Sequence, residues 1–268
     1  MGTVMTSDHV ALHVDDEGSG PAVVLVAGFG APSTSWVFQV DALTAAGYRT
    51  VCVDRRSHGQ SESPAFGQRM ARHGKDLHDV LVALDLRDAV LVGGSMGAST
   101  IWAHTDLFGT DGVRGIVSVD QTPRMLNGPD WPHGYYGFDD TNAGTFFADG
   151  VPPTGRGLPM ERAAASMGRL AERLGPQATA FRAPAPETVP LLRDHAQQDW
   201  RDVVARTEVP VLMTAGRESQ LWPCEHAAAA VHGHPQGRAV VLEDCGHAAN
   251  IDRPDEFNAA MVEFLADL

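Results

Sequence analysis

Short apolar runs, each bounded by turn residues, recur along the chain and indicate buried strands. Their apolar positions are continuous rather than alternating, as expected of strands covered on both faces of a parallel sheet. Segments with helical spacing lie between them, among them Gly74–Leu84, Ala98–Phe108 and Pro254–Leu268. Strands that alternate with helices predict an open α/β sheet with right-handed crossovers. The more regular alternation of Thr3–Val14 predicts an antiparallel edge hairpin. The six apolar runs are Ala22–Gly28, Arg49–Asp54, Ala89–Gly94, Gly115–Asp120, Pro210–Gly216 and Ala239–Asp244.

One crossover is much longer than the others. Residues Gln121–Glu208 separate the fourth apolar run from the fifth, whereas a strand–helix–strand connection needs only about a dozen or two residues. The segment is first rich in proline, glycine and aromatic residues, and later has helical spacing around Met160–Leu174 and Val189–Arg206. Its aromatic residues argue against a disordered linker. We therefore predict one core, residues 1–120 and 209–268, with a mainly helical cap formed by residues 121–208.

Composition argues against several classes of protein. The chain has 268 residues, of which 43% are hydrophobic and 20% charged, as in an ordinary globular protein. Its 20 basic and 34 acidic residues give a net charge of −14, and without a basic run this disfavours nucleic-acid binding. No apolar stretch is long enough to span a bilayer, and Met1–Asp8 resembles no signal peptide. Three cysteines (Cys52, Cys224 and Cys245) are too few for a disulfide scaffold. We predict a cytoplasmic protein that does not contact membranes.

A candidate nucleophile follows the third apolar run. Gly93-Gly94-Ser95-Met96-Gly97 has the pattern Gly-x-Ser-x-Gly, and it lies between a predicted strand and a predicted helix, the context that this motif requires. A sharp turn there would project the hydroxyl of Ser95 beside a helix N-terminus, whose free N–H groups can stabilise a developing oxyanion. We predict that Ser95 is a catalytic nucleophile.

A candidate general base follows the last apolar run. His247 comes after Asp244-Cys245-Gly246, at the carboxyl end of a predicted strand, where ligands bind in open α/β sheets. It also follows Ser95 in the order serine, acid, histidine that one class of hydrolases uses. The other histidines form no ligand cluster with a carboxylate or a cysteine, so we predict neither a metal site nor a cofactor.

With these motifs, the chain resembles the α/β-hydrolase superfamily over nearly its full length. The resemblance implies an eight-stranded, mostly parallel sheet flanked by helices. Ala27-Gly28-Phe29-Gly30 is similar to the family's oxyanion loop, so the backbone N–H groups of Phe29 and Met96 are expected to form the oxyanion hole. The segment Asp54–Ser61 is similar to the family loop Asp-x-Arg-Gly-x-Gly-x-Ser, with Ser57 in place of glycine, and we interpret it as structural.

The acid that should orient His247, the third member of the family's catalytic triad, departs from the family pattern. The family normally places an aspartate three residues after the glycine that ends the next-to-last strand, and this chain has Ser219 there, after Gly216. Serine cannot stabilise an imidazolium as a carboxylate does. Two candidates remain: Asp120, which ends an earlier strand as the acid does in some relatives, and Glu218, which neighbours the usual position. We favour Asp120 because adjacent residues leaving a strand point in different directions.

Two functions of different classes follow. The first is a cofactor-independent serine hydrolase acting on a small ester or lactone, with Trp131, Tyr135 and Trp222 as an apolar roof over the substrate. Ordinary packing within a cap is the alternative explanation of those aromatic residues. Gly28-Phe29-Gly30 and the methionine that follows Ser95 also resemble the perhydrolase or cofactor-free haloperoxidase branch, which uses the same catalytic triad. The second function is ligand binding without catalysis, which only Ser219 at the acid position supports.

Overall fold

The architecture is a single twisted sheet of eight strands in the order β1-β2-β4-β3-β5-β6-β7-β8. The computed structural model describes residues 2–175 and 186–268. β1 and β2 pair antiparallel, β2 joins β4 antiparallel, and all later pairs are parallel. The strands are β1 (Gly2–Met5), β2 (Ala11–Glu17), β3 (Ala22–Val26), β4 (Arg49–Val53), β5 (Ala89–Gly94), β6 (Val113–Val119), β7 (Val211–Gly216) and β8 (Gly237–Leu242).

Helices cover both faces of the sheet. Val24 and Val26 of β3 belong to one buried apolar cluster, while Val23 and Leu25 of the same strand belong to another. Successive side chains of a strand point to opposite faces, so both faces of β3 are buried. The helices are α1 (Val37–Ala45), α2 (Met70–Ala83), α3 (Met96–Phe108), α4 (Met160–Leu174), α5 (Val189–Ala196), α6 (Arg201–Arg206), α7 (His226–Ala230), α8 (Ala249–Asp252) and α9 (Pro254–Ala266), with short 3₁₀ turns at Ser33–Trp36 and Pro186–Thr188.

The parallel arrangement brings the chain's candidate chemistry to one edge. β3, β5, β6, β7 and β8 run in the same direction, so their carboxyl ends and the loops that follow lie side by side. In open α/β sheets, ligands bind along this edge.

The predicted fold, an α/β structure with a mostly parallel eight-stranded sheet, is confirmed. Two details of the prediction were wrong. The last strand is an edge strand with exposed positions, not one buried on both faces. The helix predicted over Val189–Arg206 is two helices, because Trp200 donates its backbone N–H to the carbonyl of Pro123 and Asp199 forms a bridge with Arg124.

The segment predicted as a cap contains α4, α5 and α6 after a long irregular stretch. Its first helix, α4, contacts the core through Arg162, which pairs with Asp244 at 2.7 Å, and Arg173, which pairs with Asp41 at 2.9 Å. Residues 176–185 of this segment lie outside the described residues. The domain boundaries at 120/121 and 208/209 stay predictions.

Two further observations concern the described residues. The three cysteines are buried free thiols. Within residues 2–175 and 186–268, no helix combines the length and the apolar character needed to cross a bilayer.

Candidate active site

Ser95 lies in a sharp turn between β5 and α3, as the motif predicts. Its backbone has φ 51° and ψ −128°, a conformation that costs free energy in a residue with a side chain. Two flanking glycines make the turn possible. A Cβ on Gly93 would lie 2.4 Å from the backbone nitrogen of Ala98, and one on Gly97 would lie 2.0 Å from the carbonyl oxygen of Val26. The chain therefore holds Ser95, which is only partly buried, at the carboxyl edge of the sheet.

Asp120 and His247 form a hydrogen bond across this edge. The Oδ2 atom of Asp120 lies 2.6 Å from the Nδ1 atom of His247. Asp120 directly follows β6 and is fully buried, whereas the ring of His247 is 25% exposed. Because a carboxylate only accepts hydrogen bonds, Nδ1 of His247 is the protonated nitrogen, which leaves the lone pair on Nε2.

Four groups surround the carboxylate of Asp120. Its Oδ2 atom also accepts a hydrogen bond from the hydroxyl of Ser219 at 2.6 Å, and Oδ1 accepts one from the backbone N–H of Gly216 at 3.0 Å. Nε2 of the fully buried His226 lies 3.6 Å from Oδ1. Burial by itself would raise the pKa of Asp120, but the interactions with His226 and His247 outweigh it and lower the pKa to about 2. Asp120 is therefore ionised at neutral pH.

The alternative acid, Glu218, has a different partner. Its carboxylate accepts a hydrogen bond from the backbone N–H of Cys245 at 2.9 Å, and its own N–H donates to the carbonyl of Cys245 at 2.8 Å. The next-but-one residue, Gln220, accepts a hydrogen bond from the N–H of His247 at 2.8 Å. The loop after β7 thus holds the loop that presents His247, and it is Asp120 that contacts the imidazole.

The residues predicted to form an oxyanion hole lie on both sides of Ser95. Met96 is the first residue of α3, and the N–H groups of a helix's first turn have no partner within the helix. Phe29 follows Gly28, where a Cβ would lie only 3.1 Å from the Cβ of Ser95. The loop after β3 therefore packs directly against the turn that contains Ser95.

A cavity of about 280 Å³ opens beside Ser95 and His247. Apart from the loop and turn residues already named, its walls are mainly apolar, with Trp36, Met167 and Ile251 among them. Met167 belongs to α4, so the segment predicted as a cap contributes to the cavity. Of the described side chains that line it, only His247 is titratable.

The three aromatic residues predicted to roof the substrate are not among the described residues that line this cavity. Trp131 donates its indole N–H to the hydroxyl of Thr122 at 3.1 Å, and Tyr135 packs edge-on against Phe147 with ring centroids 5.2 Å apart. Trp222 is buried and meets the ring of His247 edge-on at 5.3 Å. Trp131 bonds within its own segment, whereas Tyr135 also meets Trp222 edge-on, with ring centroids 6.3 Å apart. Burying large apolar rings is favourable wherever they can be covered. Trp222 thus contacts both Tyr135 and the ring of His247.

Sequence reasoning missed several wall residues of the cavity, of which the large apolar ones are Trp36, Met167 and Ile251. Trp36 follows the loop Ala27–Gly30 closely in sequence, and this short separation could have indicated that Trp36 lies near the site. Met167 and Ile251 occupy ordinary apolar positions of helices, and nothing in the sequence distinguishes them from core residues.

Comparisons with known proteins agree with this fold. A sequence model described as the alpha/beta hydrolase family matches residues 23–260. A non-heme chloroperoxidase of Streptomyces lividans is 30% identical over 239 residues, which cover 85% of this chain and 86% of that protein. An esterase from Exiguobacterium antarcticum has a similar structure, with a TM-score of 0.81 at 22% identity over 99% of this chain and 100% of that one. The enol-lactonase from Burkholderia xenovorans LB400 has a TM-score of 0.78 at 22% identity, with the same coverage.

Proposed function

We propose that this chain, which belongs to the alpha/beta hydrolase family, is a cofactor-independent serine hydrolase that cleaves a carboxylic ester or lactone. The observation that carries the proposal is the hydrogen bond from His247 to the buried Asp120, at the sheet edge where Ser95 and His247 line one cavity. A nucleophile, a base and an acid that orients the base are the three parts of a catalytic triad.

In this mechanism the hydroxyl oxygen of Ser95 attacks the substrate carbonyl while Nε2 of His247 takes its proton. Asp120 stabilises the imidazolium that forms. The carbonyl oxygen becomes an oxyanion, which accepts hydrogen bonds from the N–H groups of Phe29 and Met96. Collapse of this intermediate expels the alcohol, which receives the proton from His247. In the second half of the reaction, water attacks the acyl-enzyme carbonyl while Nε2 of His247 takes a proton from the water. Collapse of this second intermediate releases the carboxylic acid, and the oxygen of Ser95 receives the proton from His247.

The cavity supports a small, uncharged acyl group. Its volume of about 280 Å³ lies just below the range typical of small-molecule sites, roughly 300–1,000 Å³. An anionic acyl group would lose its hydration here without gaining a cationic partner from the described wall residues, which is costly. We therefore expect esters or lactones with short apolar acyl chains to be the best substrates.

Perhydrolysis is a second candidate, favoured by the similarity to the chloroperoxidase of Streptomyces lividans. The acyl-enzyme is the same in both reactions. Hydrogen peroxide replaces water as the attacking group, so that the products are a peracid and free Ser95. The two reactions are distinguished by adding hydrogen peroxide to an ester assay and measuring peracid against carboxylic acid.

Covalent labelling tests whether the chain is a serine hydrolase at all. A fluorophosphonate probe should form an adduct on Ser95 with loss of fluoride, detected by peptide mass spectrometry, and Ser95→Ala should abolish it. Absence of labelling in the wild-type protein would contradict the hydrolase and favour a protein that only binds ligands. A panel of short-chain, long-chain and aryl esters and lactones then defines the substrate.

The acid is tested by comparing Asp120→Asn with Glu218→Gln. Asp120 has φ 43°, and asparagine tolerates positive φ as aspartate does, so the substitution removes charge with little backbone strain. We expect the acylation rate of Asp120→Asn to fall on the order of 10⁴-fold. Glu218→Gln should change it little, because the glutamine oxygen can still accept the N–H of Cys245. Rapid-mixing single-turnover kinetics measure both, and the reverse ranking would overturn the assignment of Asp120.

A further inference from the structure

Arg55 is a buried cation with an unusual set of partners. Its guanidinium donates to the carbonyl oxygens of two consecutive residues in the loop after β3: Nε to Ala27 at 2.9 Å and Nη2 to Gly28 at 2.8 Å. The same group lies 3.0 Å from Nε2 of His58 and 3.3 Å from Nδ1 of His73. Within the described residues, none of the ion pairs with a carboxylate involves Arg55.

The neighbouring Arg56 is a useful contrast. It is also buried, but its Nε donates to Asp76 at 2.8 Å and its Nη2 to Asp8 at 2.9 Å. A buried arginine is normally paired in this way. Arg56 therefore fastens its own loop to α2, while Arg55 contacts the loop that packs against Ser95.

The histidines beside Arg55 act as neutral acceptors. The Nδ1 atom of His58 lies 2.8 Å from the carbonyl oxygen of Arg56 and must donate to it, which leaves the lone pair of Nε2 for Arg55. Burial and the charge of Arg55 lower the pKa of His58 to about 3. Burial lowers the pKa of Arg55 to about 9, and the nearby Asp54 opposes this. Arg55 thus remains a cation at neutral pH, and carbonyl and imidazole groups solvate it in place of water.

Peptide geometry connects these contacts to the oxyanion loop. The described peptide bonds are trans, so the carbonyl of Gly28 and the N–H of Phe29 point in opposite directions from one peptide plane. The carbonyl of Gly28 accepts the Arg55 hydrogen bond at 2.8 Å and a longer one from the backbone N–H of Ala31 at 3.3 Å. Arg55 is therefore the closer of the two donors that fix the carbonyl side of that plane, and with it the direction of the N–H. Gly28 also lies against Ser95, because a Cβ added to Gly28 would lie only 3.1 Å from the Cβ of Ser95.

We infer that Arg55 is a positioning residue, which holds the Gly28–Phe29 peptide so that the N–H of Phe29 faces the oxyanion formed at Ser95. This inference rests on the proposed hydrolase function. Arg55 itself touches no reacting atom. It acts through the two carbonyl groups it binds, and a small rotation of that peptide is enough to misalign the donor.

Adjacent, charge-conserving variants provide the test. Arg55→Lys and Arg56→Lys each keep a buried positive charge and each lose the guanidinium fork, but only the first loses contacts with the oxyanion loop. For both variants and the wild type, the measurements are kcat and KM for an ester and Ki for a trifluoromethyl ketone of the same acyl group. The ketone captures the oxyanion state, because Ser95 adds to its carbonyl carbon, His247 takes the serine proton, and the carbonyl oxygen becomes an alkoxide.

For Arg55→Lys we expect kcat to fall on the order of 10²-fold, Ki for the ketone to rise in parallel, and KM to change little. For Arg56→Lys we expect a lower melting temperature with kcat and Ki near wild type. Arg55→Met, whose side chain has no donor, should lose at least as much as Arg55→Lys. Circular dichroism checks that each variant is folded. If Arg55→Met does not fold, the comparison of Arg55→Lys with Arg56→Lys is sufficient for the test.

Three results would overturn the inference. One is wild-type kcat and Ki in Arg55→Lys, which would show that the guanidinium contacts with Ala27 and Gly28 are not needed to align the loop. Another is an equal change in KM and Ki, which would indicate general damage to the cavity. The third is a wild-type protein that neither hydrolyses esters nor reacts with the fluorophosphonate, and in that case the proposed function fails as well.

Discussion

At the scale of single residues, Ser219 is the most informative departure from the family pattern. It occupies the usual position of the acid, and its hydroxyl donates to the same oxygen of Asp120 that His247 contacts, at 2.6 Å. A donor to an ionised carboxylate stabilises the charged form. Ser219 therefore supports the proposed acid instead of replacing it, which removes the one sequence feature that favoured a non-catalytic protein.

Removing this hydroxyl should reduce activity. A hydrogen bond to a charged group contributes roughly 1.5–3 kcal/mol, so we expect Ser219→Ala to lower kcat by about 10- to 100-fold, measured in steady-state ester hydrolysis. Ser118→Ala is the matched control, since Ser118 is also buried and near Asp120 but its hydroxyl has no hydrogen-bond partner among the described residues. Equal kcat values in the two variants would show that the contact with Asp120 is not used in catalysis.

At the scale of elements, the contact between α2 and α3 depends on one glycine. A Cβ on Gly74 of α2 would lie 2.7 Å from both the carbonyl carbon of Ala103 and the backbone nitrogen of His104 in α3. Backbone atoms cannot move aside as a flexible side chain can. The glycine thus permits close packing at the cost of a lower helix propensity.

Two glycine-to-alanine substitutions in helices should therefore have opposite effects on stability. Gly74→Ala should lower the free energy of unfolding by at least about 1 kcal/mol, because overpacking outweighs the gain in helix propensity. Gly168→Ala in α4 should raise it by about 0.5–1 kcal/mol, since no described atom outside the helix's own backbone lies within 4 Å of the added Cβ. Urea denaturation followed by circular dichroism measures both. A stabilising Gly74→Ala would mean that α3 can shift away from α2.

Elements were predictable where local pattern and tertiary environment agree. α4 has the predicted bounds, Met160–Leu174, because its apolar stripe and its ends are visible in the sequence. The break between α5 and α6 was not predictable, since it depends on Trp200 and Asp199 bonding to a segment more than seventy residues earlier. The spacing of apolar residues along a helix contains no information about hydrogen-bond partners that are distant in sequence.

At the scale of the whole molecule, buried histidines couple stability to pH. For four of them burial lowers the pKa in the folded protein, to about 3 for His58 and His195, to about 4 for His104, and well below the usual value for His73. In the unfolded chain their pKa is near 6.5. Below that pH the unfolded state binds more protons than the folded state, so acid favours unfolding.

The free energy of unfolding should therefore fall between about pH 6.5 and pH 4, by up to about 1 kcal/mol per pH unit for each of these histidines. Urea titrations at several pH values measure the slope. His195→Gln should reduce the slope by the contribution of one proton. A slope that is flat over this range would show that the buried histidines become protonated without unfolding.

The position of the candidate site at the carboxyl edge of the sheet was predictable from the sequence, but the residues that line its cavity were not. Turn residues after apolar runs placed Ser95, Asp120 and His247 at neighbouring strand ends, and the structure brings the latter two into contact. The predicted aromatic roof did not appear in the cavity because composition cannot tell a ring that faces a ligand from one that packs on its neighbours. Trp131 and Tyr135 are of the second kind.

The location of Asp120 has a consequence for how such chains can diverge. Asp120 is the last residue before the segment predicted as a cap, so the codons for the proposed acid and for the start of that segment are adjacent in the gene. In a relative whose acid follows β7, recombination can exchange such a segment and leave the acid in place. Here an exchange whose boundary falls one codon too early removes Asp120. We therefore expect point substitutions at cavity positions such as Met167 to alter substrate range with less risk to the proposed acid than replacement of the segment that contains Met167.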